Sequence, residues 1–469
     1  MKIERFEVPG LAQYAYILSS GSSAVVIDPI RDLDAYLQYA ATHGLTITHI
    51  LETHIHADFA SGATALARAT RAQLWLSAYA DGEDYQYRFP HHPFQHDEIL
   101  EIGTLRLQAI HTPGHTPEHL SFLLFDTARS ATIPAALFSG DFLFVGSFGR
   151  PDLLGEVAKQ KLATQLYQSA HQTIATLPDS LEVYPGHGAG SLCGSGMGEH
   201  PQTTLGYERA VSPLFALPQA IFVPQIIATV PPFPPYYRRM KQLNSQGAPI
   251  LTALPGTQAF SPAEVAHLKS STPITLLDLR RPEAFGGAHI PGSINIGAGQ
   301  NLSLWAGWML DPNQPILLIG EPADLDPPRR SLMNVGLDNI LGYLAGGIAA
   351  WIDSGSELAQ LPHRSPQQAQ TELSQLELAA QPVIILDVRS DSEWLSGHIP
   401  NAVHIMLGDL PTRLSKLDPA ATTYVVCGSG YRSSIATSIL AAHGFHGLIN
   451  IDGGMAAWNH QKLPLEYTA

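Results

Sequence analysis

The residues best suited to chemistry in the N-terminal half are histidines and aspartates in four short segments. ETHIHADFASG places His54, His56 and Asp58 at alternating positions, after an apolar strand-like run and before a helical one. His115 follows in HTPGHTPEH, Asp141 in FSGDFLF and His187 in VYPGHGAG. Imidazoles and carboxylates on strand-end loops can converge on one metal ion, and the glycines and prolines beside them supply turns that aim them inward. One such histidine alone would be an ordinary surface or core residue; four segments in this order point to a metal site. A second kind of chemistry lies near the C-terminus. Cys427 follows the apolar run TYVV and opens CGSGYR, directly before the helical SSIATSILAAHG. The loop Cys427, Gly428, Ser429, Gly430, Tyr431, Arg432 can curl so that backbone N–H groups face the sulfur, while a helix N-terminus and Arg432 add positive potential. Such surroundings favour a thiolate or persulfide, which makes Cys427 a candidate nucleophile with Arg432 as its catalytic partner.

These groups must be positioned by a chain of 469 residues, enough for about three domains. Hydrophobic residues at 45% and charged ones at 14% exclude a wholly disordered or fibrous chain. A net charge of −15 argues against binding nucleic acid through its phosphates. The opening MKIERFEVPGLAQYAYILSS mixes both charges and lacks the apolar core of a signal peptide. No run approaches the roughly 18 apolar residues of a membrane span, so no membrane partner is expected. Two cysteines, Cys193 and Cys427, exclude a disulfide framework and suggest a reducing, cytoplasmic location.

The C-terminal half contains a repeat. LLDLRRPEAFGGAHIPGSINI matches ILDVRSDSEWLSGHIPNAVHI, and AGGIAAW matches DGGMAAW. Asp278 and Asp387 are 109 positions apart, as are His289 and His398. Two copies are too few for a solenoid, so two similar globular domains are expected. Apolar runs such as VIILDV, TTYVV and LINI alternate with helical stretches, which predicts parallel sheets with crossover helices. The Pro-rich VPPFPPYY at 230–237 and the polar HRSPQQAQTELSQ at 363–375 are read as linkers. Aligning strand ends puts Gly320 where Cys427 sits, and no cysteine falls between 250 and 360, so the first copy cannot run thiol chemistry. It keeps Asp278, Arg280 and His289, counterparts of Asp387, Arg389 and His398, and should fold as a spacer or docking domain.

The N-terminal constellation resembles the metallo-β-lactamase superfamily, whose HxHxDH, later His, later Asp and final His follow this order. Phe59 stands where the last histidine of HxHxDH is usual. In the superfamily Asp58, that histidine and His187 would hold a second metal, so Phe59 favours a single one on His54, His115 and Asp141. Two histidines and a carboxylate with open positions suit non-haem iron, one Fe(II) per chain. The triad, with GRPDLLG, YPGHGAGSLCG and TTLGYERAVSPLF, resembles bacterial persulfide dioxygenase–rhodanese fusions. That resemblance makes His56, Asp58 and His187 groups that orient ligands or bind substrate. Arg150 would meet a thiol carrier's carboxylate or form a surface ion pair. Cys193, flanked by glycine in SLCGSGMG, would be an exposed thiol able to carry or sense a persulfide, the alternative being a packing residue in a turn.

The Cys427 loop resembles the rhodanese family; cysteine phosphatases place five residues between Cys and Arg, whereas four separate Cys427 from Arg432. The fold implied is α/β: a metallo-β-lactamase αββα sandwich over 1–245, a rhodanese-like domain lacking the catalytic cysteine over 246–360 and an active one over 361–469, both with parallel sheets. The resemblance implies oxidation of a low-molecular-weight persulfide such as glutathione persulfide by O2 to sulfite and thiol, with Cys427 forming or consuming thiosulfate. A zinc thioester hydrolase like glyoxalase II, with sensing rhodanese domains, is the alternative. A homodimer would be ordinary for such a chain.

Overall fold

The structure is a computed structural model that describes residues 1–8, 10–80, 85–379 and 381–467. The chain forms two compact units: Met1–Thr252 with Met333–Gly336, and Ala253–Leu332 with Leu337–Ala469.

In the first unit, apolar residues alternate along strands so that each sheet has two buried faces. Strand Leu120–Asp126 is buried throughout. Phe122 and Leu124 face one hydrophobic cluster, while Leu123 and Phe125 face another, as the two-residue period of a strand requires. One six-stranded sheet runs in chain order through Lys2–Val8, Gln13–Ser20, Ser23–Ile27, Thr46–Leu51, Gln73–Ser77 and His92–Phe94. The second contains Ile99–Ile102, Leu105–His111, Leu120–Asp126, Ala136–Gly140, Glu182–Pro185 and Thr203–Thr204, also in order. Tyr16, Leu18, Val25 and Ile27 of one sheet pack with Leu107, Phe122, Leu124 and Phe138 of the other, forming the inner core. Outside the second sheet, Leu137 and Val183 pack against Leu166 and Phe222, which lie on helices Glu156–Gln168 and Gln219–Ala228. The layers are those of a helix–sheet–sheet–helix sandwich.

The second unit holds two five-stranded, all-parallel sheets of the same topology. Their orders are Gln258–Phe260, Ile340–Leu344, Ile316–Ile319, Thr275–Asp278, Ile294–Asn295, and His363–Arg364, Leu448–Ile451, Thr422–Val426, Val383–Asp387, Val403–His404. Parallel neighbours need crossovers, which is why helices separate these short apolar runs. Asp278 pairs with Ile319 and Asp387 with Val426, so Gly320 and Cys427 occupy equivalent strand-end positions. In each copy the aspartate accepts from the nearby arginine: Arg280 Nη2 at 2.6 Å from Asp278 Oδ2, and Arg389 Nη2 at 2.7 Å from Asp387 Oδ2. Both aspartates are completely buried.

Neither linker reading holds. HRSPQQAQTELSQ forms strand His363–Arg364 and helix Pro366–Leu378, because Ser365 and Gln368 make a capping box and Ala369 and Leu373 turn one face into the core. VPPFPPYY leads into helix Tyr236–Gln246 of the first unit, and its Tyr236 and Tyr237 are buried.

Replacing Asp387 by Ala leaves the Arg389 guanidinium buried without its partner. The expected loss is about 3–5 kcal/mol for the second copy, read as an earlier urea transition.

Candidate metal centre and thiol site

The segment after strand Thr46–Leu51 is fixed by its backbone before any metal is considered. Thr53 donates its N–H to Asp28 Oδ1 at 2.7 Å and its hydroxyl to Asp28 Oδ2 at 2.8 Å. Ile55 N–H donates to Glu118 Oε1 at 2.8 Å, and the Asn244 amide donates to the carbonyls of His56 and Phe59 at 2.8 and 2.7 Å. Gly186 is required beside His187, since a Cβ there would lie 2.6 Å from Asp141 Oδ1.

His54, His115 and Asp141 come together. Their Nε2, Nε2 and Oδ2 atoms are buried without a hydrogen-bond partner. The two nitrogens lie 3.8 and 3.5 Å from Asp141 Oδ2, a spacing one ion could bridge. The tautomers suit that use. His115 Nδ1 donates to the Arg150 carbonyl at 2.9 Å, and His54 Nδ1 meets the Thr53 hydroxyl at 2.9 Å, a hydroxyl already donating to Asp28. Each Nε2 therefore presents its lone pair inward. Burial, with neighbouring imidazoles, pushes the His54 pKa well down; burial lowers that of His115 against the opposing pull of Asp141. Burial would raise Asp141, but His187 outweighs it and holds the carboxyl well below its usual range. Neutral imidazoles with an ionised carboxylate are the protonation states a metal ion requires.

His187 and Asp58 act on this triad through hydrogen bonds, and with Cys193 they also form a second group of buried donor atoms within 4.8 Å of one another. His187 Nδ1 meets Asp141 Oδ1 at 2.7 Å and its Nε2 meets Asp58 Oδ2 at 2.8 Å. Burial would lower the His187 pKa, but the two carboxylates raise it well above the ordinary value. His56 turns its Nε2 to Asp28 Oδ1 at 3.1 Å, and its ring stacks on Phe59 with centroids 4.3 Å apart. Phe59 is fully buried and offers no donor atom.

Two sequence readings need correction. Cys193 is not an exposed loop thiol: it is buried, with donor atoms of Asp58 and His187 within 4.8 Å. Burial, then the Asp58 and Asp141 carboxylates, push its pKa well up, so it stays a neutral thiol. Gly194 beside it serves close packing, since a Cβ there would meet the Phe144 ring and the Phe148 carbonyl. Arg150 is neither a surface residue nor free to meet a carrier. It pairs with Asp152 at 2.7 and 2.9 Å and donates to the carbonyls of Leu192, Pro231 and Pro232, cross-linking loops beneath the site. The sequence reading missed Asp28, Glu118, His119 and Asn244. His119 Nε2 accepts the Asp141 N–H at 3.1 Å; the PEH that follows His115 was its one available signal.

In the second unit, Cys427 ends strand Thr422–Val426 and is completely buried. Its Sγ accepts from Gly430 N–H at 3.1 Å and from the Ser433 hydroxyl at 3.4 Å. Gly430, at φ 99°, makes the left-handed turn that starts helix Tyr431–Ala442 and aims its N–H at the sulfur. Arg432 is engaged differently from the sequence expectation: both its terminal nitrogens pair with Glu393, at 2.7 and 2.6 Å. Burial would raise the Glu393 pKa, but Arg432 and the Ser390 cap lower it to about 2. Gly320 of the first copy faces Leu325 and Leu279, with no nucleophile in place.

The profile of the metallo-beta-lactamase superfamily matches residues 8–187, and that of the rhodanese-like domain matches 261–354 and 369–461. A metallo-beta-lactamase from Staphylococcus aureus subsp. aureus COL has a similar crystal structure. It is 38% identical with a TM-score of 0.65, over 73% of this chain and 98% of that one. The chain belongs to the metallo-beta-lactamase superfamily. It carries two rhodanese-like domains behind that fold in a single polypeptide. A hydroxyacylglutathione hydrolase from Anaeromyxobacter dehalogenans is 36% identical over 178 residues, 38% of this chain and 62% of that one, so the chain spans less than two thirds of its length. A mitochondrial persulfide dioxygenase from Bos taurus is 29% identical over 212 residues, 43% of this chain and 76% of that one. No helix among the described residues is long and apolar enough to cross a membrane.

His115→Ala and Asp141→Ala are each expected to abolish metal retention through gel filtration. Asp58→Asn, which removes the carboxylate that orients His187 and supports its positive charge, should weaken metal affinity about 10–100-fold, as read by competition with a chelator. The Glu393–Arg432 pair sets a pH dependence. Because the folded pKa is lowered from 4.5 to about 2, its stabilisation is complete above the unfolded value and is lost as pH falls toward 2. The difference in urea midpoint between wild type and Glu393→Gln should therefore narrow through that acid range.

Proposed function

We propose that the chain is a persulfide dioxygenase coupled to a sulfurtransferase. The observation that carries this reading is the set of three buried, partnerless donors on His54, His115 and Asp141, with the phenyl ring of Phe59 where a further imidazole ligand is usual. Such a two-histidine, one-carboxylate set suits a single Fe(II) with open positions. When bound, iron would make O2 reactive toward a sulfur substrate, the net electrons coming from the terminal sulfur. The residues do the rest. Thr53 and the Arg150 carbonyl fix the imidazole tautomers, and Asp58 acts through His187 to hold Asp141 in its ionised form. The overall conversion is RSSH + O2 + H2O → RSH + SO3²⁻ + 2H⁺, in which the terminal sulfur is oxidised, O2 is reduced and the carrier thiol is released. Glutathione persulfide is the representative substrate.

Cys427 would handle the sulfane sulfur. Its thiolate attacks the outer sulfur of thiosulfate; the new S–S bond forms as the bond to the sulfonate sulfur breaks, leaving a Cys427 persulfide and sulfite. The reverse step makes thiosulfate from sulfite. Gly430 N–H and the Ser433 hydroxyl are placed to stabilise charge on that sulfur in either direction.

The likeness to a hydroxyacylglutathione hydrolase supports a second reading, zinc-dependent thioester hydrolysis with sensing rhodanese domains. One experiment separates the two: metal content of anaerobically purified protein, with O2 uptake on adding glutathione persulfide. About one iron per chain, with persulfide-dependent uptake and sulfite or thiosulfate formed, is the expected outcome. About two zincs per chain, no uptake and thioester cleavage would overturn it in favour of the hydrolase.

A further inference from the structure

The first rhodanese-like copy has no cysteine, yet it makes polar contacts to the helix that carries the Cys427 loop. Asn295 ends its edge strand Ile294–Asn295 and is almost fully buried. The Asn295 side-chain amide donates to the carbonyls of Asp278 and Arg280 at 3.0 and 2.9 Å, which fixes its orientation. Its Oδ1 is thereby turned outward, where it accepts from the Ser434 hydroxyl at 2.6 Å. The Asn295 backbone N–H donates to Ser438 Oγ at 3.0 Å, and the Tyr431 hydroxyl donates to the Gly297 carbonyl at 2.9 Å. Tyr431, Ser434 and Ser438 stand three and four residues apart, so they form one stripe on helix Tyr431–Ala442. The groups that hold the sulfur, Gly430 N–H and the Ser433 hydroxyl, directly precede Tyr431 and Ser434 in the chain.

Register shows that these contacts are particular to the first copy. Asn295 pairs with Asp278 as His404 pairs with Asp387, so the two occupy equivalent positions. His404 spends its Nε2 within its own domain, on the Arg389 carbonyl at 2.8 Å. Asn295 makes the equivalent bond to the Arg280 carbonyl and, in addition, reaches across to the neighbouring copy through its Oδ1 and backbone N–H. An interface built only to bury area would be apolar; this one sets three directed hydrogen bonds on the first two turns behind the nucleophile. At Gly297 a Cβ would lie 3.2 Å from the Arg280 carbonyl and at contact distance, 3.4 Å, from the Tyr431 ring.

We infer that the cysteine-less copy is a positioning element of the sulfur-transfer site: Asn295 and the Gly297 carbonyl brace helix Tyr431–Ala442, so that Gly430 and Ser433 keep their aim on Cys427. Asn295 is a positioning residue, acting through Ser434. The inference rests on the sulfurtransferase reading for its consequence, although the brace itself can be read without activity.

The test uses the full chain with Asn295→Ala, Ser434→Ala and the double variant. Thiosulfate-to-cyanide sulfur transfer is measured together with amide hydrogen exchange over residues 428–434. Each single variant should lower kcat/KM for thiosulfate about tenfold, in line with the sensitivity of catalysis to small misplacements. The double variant should be little worse than either, because both remove one interaction. Exchange over 428–434 should quicken in all three. Val265→Ala, in the first copy's own core, controls for lost stability: it should lower Tm without moving kcat/KM or exchange in that segment. Wild-type transfer rates and exchange in Asn295→Ala, or single losses that multiply in the double variant, would overturn the brace. A wild-type chain with no transfer, or Cys427→Ser with full transfer, would instead sink the sulfurtransferase reading, and exchange over 428–434 would still decide the brace.

Discussion

Asp141 is an ionised carboxylate with no exposure to water, and taking such a charge out of water costs several kcal/mol unless it is compensated. Much of the N-terminal unit can be understood as that compensation. His187 supplies a hydrogen bond and positive charge to one oxygen; Asp58 in turn supports His187; the other oxygen is left toward His54 and His115. These residues come from separate strand-end segments, so the centre exists only if both sheets are correctly stacked. The inner core of Tyr16, Leu107, Phe122 and Phe138 is what brings those ends together. An ion bound there would complete the compensation, which links metal binding to the stability of the fold.

The second unit solves a related problem with other means. The sulfur buried at the end of a parallel strand accepts from Gly430 N–H and the Ser433 hydroxyl, while Arg432 interacts with it only electrostatically and spends its hydrogen bonds on Glu393. Backbone and hydroxyl dipoles aimed at the sulfur help only when they are held in direction. The left-handed turn at Gly430 provides that direction locally. In the first copy the same strand end carries Gly320, and the scaffold of Asp278 and Arg280 persists without a nucleophile of its own. Fold and chemistry have come apart within one repeat, a reminder that the site and not the fold carries function.

How much of this could be read in the amino-acid order depends on how local each feature is. The metal triad was legible because each ligand sits in a short Gly- or Pro-marked segment, and the two-fold repeat because its landmarks keep one spacing. The parallel sheets of the repeat followed from the alternation of apolar runs, whereas the sandwich followed only from the resemblance carried by the metal-site motifs. What escaped was set by distant partners. Asp28 lies 28 positions from His56, Glu393 39 from Arg432, and Asn295 139 from Ser434. Nothing in the spacing of such pairs announces a contact. Cys193 and Arg150 were misread for a related reason: glycine neighbours and a charged side chain suggest solvent, yet three-dimensional packing buried both. The segment 363–375 looked like a linker because polar residues dominate it, while the two apolar residues that dock it are only a helical turn apart.

The complete burial of Cys427 has a bearing on time as well as on geometry. A persulfide at an exposed cysteine is stripped by whichever small thiol collides with it first. Behind the Gly430 turn, a bound sulfane sulfur would be shielded from such collisions, and only acceptors admitted by an opening of the loop could take it. A persulfide formed there would outlast one on an exposed cysteine at the same thiol concentration, so burial trades speed of release for lifetime.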